Sequence, residues 1–170
     1  MKVELLFAAL EQNAHRIRAL TYGVTDDEAR WRPAPEHWSL LEVIAHLLEE
    51  ERLDFRPRLD LLLHHPGQLG PPIDPQGWVV ARRYNEWDVD DTLQPFLRER
   101  SRSLDWLRAL EDPRWDHALQ IPDGPRLQAG DILAAWAAHD VLHLRQLARI
   151  HWMAIAAAGK PYDVAYAGAW

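Results

Sequence analysis

The chain has 170 residues, 48% of them hydrophobic and 26% charged, with a formal net charge of −7. That acidic balance, with no dense Lys/Arg run, argues against a nucleic-acid-binding surface, which draws its affinity from displaced counterions. The absence of cysteine excludes disulfides, a thiolate metal site and a thiol nucleophile, so any metal must be held by His, Asp or Glu.

The first segment, MKVELLFAALEQNAHRIRAL, carries Val3, Leu6, Leu10, Ile17 and Leu20 on one stripe and reads as an amphipathic helix ending near Tyr22-Gly23. Its apolar run is broken by Glu4 and by Glu11 to Asn13, so it is not expected to be a signal peptide. No stretch approaches the roughly 18 apolar residues of a membrane span. The expected location is the cytoplasm. The next stretch, TDDEARWRPAPEHW, reads as a structured loop with one helical turn at 26–31.

A second helix opens at Ser39, where SLLE has the form of a capping box between Ser39 and Glu42. Leu40, Leu41, Ile44, Leu47 and Leu48 give it a broad apolar face, and Pro57 should kink or end it. HHPG at 64–67 closes the region. A connection of about 25 residues, rich in Pro and Gly, follows at 64–88. Loops of that length are either functional or crossovers, and in a four-helix bundle a crossover lets helices two and three run parallel.

The third helix carries Leu93, Leu97, Leu104, Leu107 and Leu110, with Thr92 as its expected N-cap and Pro95 in its first turn. Arg98 to Arg102, interrupted by Glu99, reads as a solvated helix face. PDGP at 122–125 is a turn. The fourth helix runs from about Gln128 to Ala158, with Gly159 behind it. The expected fold is all-α: a single-domain four-helix bundle over 1–170 with a long crossover between helices 2 and 3.

On the fourth helix the stripe is Ile132, Trp136, His139, His143, Gln146 or Leu147, and Ile150. Two histidines four residues apart project from one side of a helix and can share a metal ion. A buried pair without partners would leave ring N–H groups unsatisfied. The best third ligand is His46, in EVIAHLLEEE on the second helix. The other six histidines sit in polar settings, at helix ends or in loops. Spacing alone leaves two readings open, a three-His metal site or satisfied core histidines. HDVLH is not the HExxH protease motif. Asp140 is one carbon shorter than Glu, and the extended form would need Gly and His where Gln146 and Arg149 stand.

Two segments carry a family resemblance. LTYGVTDDEARWRPAPEHWSLLEVIAHLLEEE and LQAGDILAAWAAHDVLHLRQLARI resemble the DinB/YfiT-like family's tryptophan–proline segment with its first metal histidine, and its last-helix H---H--Q pattern. They cover about a third of the chain, in the family's order. The resemblance implies that His46, His139 and His143 form a triad for one divalent ion, zinc or nickel, and that Gln146 orients the site. Family members include thiol S-transferases that use bacillithiol or mycothiol, an isomerase, and proteins assigned as hydrolases. The implied partners are a small-molecule thiol and an electrophile, with no nucleic acid and no membrane, and family habit points to a homodimer. The implied function is S-transfer; the alternatives are metal-dependent hydrolysis and a non-catalytic metal- or ligand-binding bundle. Glu50, one turn from His46, is the candidate base or positioning partner, set against a solvent-exposed Glu in a run of three. Trp31, Trp38, Trp78 and Trp136 are candidates for the pocket mouth, Trp136 first among them.

Overall fold

Each long helix starts and stops where the local chemistry dictates. The computed structural model describes residues 1–65, 67, 68, 70, 72–120 and 126–170; the turn expected at 122–125 lies outside them. Helix α1 (Val3–Thr21) buries Phe7, Leu10, Ala14 and Ile17. The chain then reverses at Gly23, whose φ of +76° suits a residue without Cβ. The short α2 (Asp26–Arg30) is held by a capping box between Thr25 and Glu28. Helix α3 (Leu40–Glu50) opens on the expected Ser39–Glu42 capping box. Every one of its residues is buried, which is why its sequence shows a broad apolar arc rather than a stripe.

Pro57 does not end this helix. The chain passes through a π-helical turn (Glu51–Phe55) and continues as α4 (Arg56–His64), with Pro57 in the first turn of the resumed helix. The backbone hydrogen bonds change register just ahead of the residue that lacks an amide proton.

The connection to α6 is a crossover with structure of its own. It holds α5 (Pro75–Ala81), capped by Asp74, and a 3-10 turn (Tyr84–Glu86). Val79 and Tyr84 pack on Ala45 of α3, flanked by Trp38, Trp78 and Trp87. Helix α6 (Val89–Arg108) begins earlier than expected. Asp88 rather than Thr92 is its N-cap, and the Val89 amide donates to Asp26 Oδ1 from α2 at 3.0 Å. Pro95 therefore lies inside the helix. A small antiparallel hairpin, β1 (Ala118–Gln120) with β2 (Arg126–Gln128), pairs Leu119 with Leu127 ahead of α7 (Ala129–Ala158). Strands this short leave no alternation to read, and the hairpin is an addition to the helical plan.

Four long helices, α1, α3–α4, α6 and α7, make the bundle. Helix α1 packs on α7 and α6, and α3 packs on α6 and α7. Leu40–Leu48 meets Val89–Phe96, while Phe55–Leu63 meets Leu104 and Leu107. Helices α3–α4 and α6 thus run parallel, and this is the geometry the long crossover permits. Among the described residues no helix is long and apolar enough to cross a membrane.

Candidate metal centre

Helices α3 and α7 bring three imidazoles to one point. His46, from the middle of α3, is 5% exposed, and His143 is 9% exposed. The Nε2 atom of His139 lies 3.3 Å from that of His46 and 3.1 Å from that of His143. Three nitrogens bound at 2.0–2.1 Å around a tetrahedral ion stand about 3.3 Å apart along each edge. Both edges at His139 therefore have the spacing that a shared divalent ion demands, and all three ligand atoms lie within 4.8 Å of one another. Among the described residues this is the one such cluster of three or more His, Cys, Asp or Glu ligand atoms.

The outer nitrogens fix the rings. His143 Nδ1 sits 2.8 Å from Gln146 Oε1. An amide oxygen only accepts, so Nδ1 carries the proton and Nε2 turns a bare lone pair inward. His46 Nδ1 has no hydrogen-bond partner, and its nearest carboxylate oxygen, Glu50 Oε1, is 4.0 Å away. Burial, then the neighbouring His143 and His139, push the His46 pKa down to about 2. Burial, His143 and Arg100 push His139 down to about 3. His143 is also lowered by burial, against a raising effect of Gln146 and Asp140. All three rings are neutral at physiological pH, the form that ligates metal.

Glu50 is not a solvated member of its acidic run. It is 4% exposed, its Oε1 is buried without a partner, and burial followed by the charge of Asp54 raises its pKa to about 7. A third orphaned polar atom, the Tyr84 hydroxyl, is also buried, and burial pushes its pKa up to about 12.

A pocket of about 1020 Å³ opens onto the triad, lined by the three histidines, Glu50, Trp38 and Gln146, with further residues of α7 and the crossover. Trp38 packs 5.0 Å from the His46 ring and stacks parallel to His143 at 6.4 Å. Trp136 lies behind the triad instead of on the pocket wall. It is 1% exposed, stacks on Phe55, and donates Nε1–H to Glu51 Oε2 at 2.9 Å. Phe55 in turn packs against the His139 ring at 5.0 Å. Trp31 packs on the core under α3, and the Trp78 ring carries the Arg82 guanidinium.

Below the triad is a buried charge network that the sequence reading missed. Arg100, expected on a solvated face, is 1% exposed. It binds Glu51 at 2.9 and 3.1 Å, Asp140 at 2.6 and 2.9 Å, and the Leu10 carbonyl at 3.0 Å. The signal was present. Arg100 stands at the position between Phe96 and Leu104 where the buried stripe of α6 requires an inward side chain. Asp140, between the two α7 histidines, is the carboxylate that faces it.

The site thus combines an inward-facing imidazole triad, a buried carboxylate beside it with one oxygen unpartnered, and an open pocket. No curated protein matches the chain by sequence. Among solved structures it resembles YfiT from Bacillus subtilis, described as "a probable metal-dependent hydrolase with an unusual four-helix bundle topology". The TM-score is 0.77 at 17% identity, over 88% of this chain and 85% of that one, a likeness that shows the fold. The family model of the DinB superfamily matches residues 9–147, and with that match over most of its length the chain belongs to the DinB superfamily.

Proposed function

We propose that the chain is a divalent-metal-dependent enzyme that transfers a low-molecular-weight thiol to a small electrophile, with His46, His139 and His143 as ligands of a zinc or nickel ion. The observation that carries this reading is the convergence of three Nε2 atoms, 3.1 and 3.3 Å apart, at the floor of an open pocket. Three such ligands leave a tetrahedral ion one open position, where it acts as a Lewis acid and lowers the pKa of a nucleophile. The chain has no cysteine, so the thiol comes from a cosubstrate, and about 1020 Å³ of pocket is room for two small molecules.

The residues divide the work. Gln146 holds the His143 ring by its Nδ1–H. Trp38 walls one side, packed against the His46 and His143 rings. Glu50 Oε1, unpartnered and with its pKa near 7, accepts the S–H proton. The sulfur then forms a bond to the electrophilic carbon, the bond to the leaving group breaks, and the proton passes to that group. The same Glu50 supports a second reading, hydrolysis: it takes a proton from water, the water oxygen bonds to the substrate's carbonyl carbon, the bond to the leaving group breaks, and the proton passes to that group.

Metal content of protein purified without chelator, beside His143→Ala, tests the centre. We expect about one equivalent of zinc or nickel in the wild type, lost in the variant. Absence of metal in both, even after incubation with zinc, overturns the reading. Thiol consumption against ester hydrolysis by the loaded enzyme then separates the two reactions.

A further inference from the structure

Two arginines stand unused at the mouth of the metal pocket. Arg145 and Arg149 lie one turn apart on α7, both exposed and both on the pocket lining. Many of the chain's other guanidinium groups are neutralised locally. Arg30, Arg56, Arg82, Arg100, Arg108 and Arg114 each face a carboxylate. Neither Arg145 nor Arg149 has a hydrogen-bond or ion-pair partner among the described residues. The carboxylate that does line the pocket is Glu50, buried at its inner end. The mouth is therefore positive in a protein of net charge −7, and a low-dielectric cleft of one sign concentrates ligands of the other.

One wall of the pocket is apolar, while His37 and Gln76 add polar groups elsewhere on the lining. Leu142, Ile150, Met153 and Trp170 share the lining with the two arginines. Along α7, Arg145 lies about 3 Å and Arg149 about 9 Å beyond His143. We propose that the pocket selects a small carboxylate with an apolar body: the carboxylate held by the forked N–H donors of Arg145 and Arg149, the body against the apolar wall, the far end at the triad. The assignment rests on the triad as the reacting end. It holds whether the carboxylate belongs to the thiol or to the electrophile.

The test uses hydrocinnamate and its neutral amide, followed by intrinsic tryptophan fluorescence and calorimetry on metal-free protein, so that no carboxylate can bind through a metal ion. The wild type is expected to bind the acid about tenfold more tightly than the amide, with added salt weakening the acid alone. His143→Ala should keep that preference. The double variant Arg145→Gln/Arg149→Gln should lose it while retaining zinc uptake equal to the wild type. Equal binding of acid and amide, a preference that survives in the double variant, or no binding of either at millimolar concentration would each overturn the assignment. Failure of zinc uptake in the wild type, with the acid preference intact, would instead sink the metal-centre reading and leave the anion site standing.

Discussion

Replacing Arg100 by Met should be among the most damaging single changes available in this protein. The guanidinium makes four contacts of 2.6–3.1 Å to Glu51 and Asp140 and one of 3.0 Å to the Leu10 carbonyl. Both carboxylates are 0% exposed. Met fills most of the volume but leaves two anions facing each other without water or a cation. Removing one partner of a buried ion network costs about 3–5 kcal/mol, out of a total that for domains is about 5–15 kcal/mol. At about 2–4 °C per kcal/mol for a chain of this size, Tm should fall by about 6–20 °C. Urea titration of the metal-free protein, followed by circular dichroism, measures the loss directly. One control separates the charge argument from packing. Arg100→Met/Glu51→Gln/Asp140→Asn should recover much of the lost stability, because no uncompensated charge remains. A single variant within about 1 kcal/mol of wild type, or a triple variant no more stable than the single one, would refute the reasoning.

Gln146→Ala removes the acceptor that orients His143 and should weaken zinc binding by about 10–100-fold in a chelator competition assay; unchanged affinity would show that the ring needs no such partner. Glu50 has a folded pKa near 7, above its unfolded value of 4.5, so its charge costs stability above pH 7 and that cost fades as pH falls toward 4.5. Glu50→Gln should therefore stabilise the metal-free protein by about 1–3 kcal/mol at pH 8 and hardly at all at pH 4.5; an equal effect at both pH values in urea titrations contradicts this. His46 and His139 stay neutral in the fold down to about 2 and 3 but protonate in the unfolded chain below about 6.5. Metal-free stability should drop by about 1.4 kcal/mol per pH unit below that point for each ring, and His139→Phe should flatten the slope by one such step.

Where an element is set by local chemistry, its limits are legible in the sequence. Ser39 and Glu42 mark the start of α3, and Gly159 stands just past the end of α7. The α7 histidines are found by their spacing, because a helix places residues four apart on one face whatever it packs against. Elements that depend on tertiary support are not legible. Pro57 reads as a kink or a stop, yet the chain passes it through a π-turn with Glu51 and Phe55 buried, and no local pattern announces that. The seven-residue α5 survives through Val79 and its neighbours against Ala45. The all-round burial of α3 hides which of its faces holds His46, and only the pairing with α7 shows that the ring points at His139. Glu50 misleads for the opposite reason: a run of three glutamates suggests solvent, while the crossover covers that turn of the helix.

The π-turn joins stability to chemistry in a way that neither feature shows alone. It begins at Glu51, immediately after Glu50, and the extra residue in the turn changes which way successive side chains project. Glu50 is left at the pocket beside His46, whereas Glu51 turns inward to Arg100 and Trp136. Arg100 then spans to Asp140, which lies one residue after His139 and three before His143. Two adjacent acids on one strand of backbone thus serve opposite ends of one layer. Glu50 keeps one oxygen without a partner; Glu51 is tied through Arg100 to the helix that carries His139 and His143. Buried ion pairs thus tie α7 to the turn that continues α3, beside the 3.3 Å approach of His46 to His139.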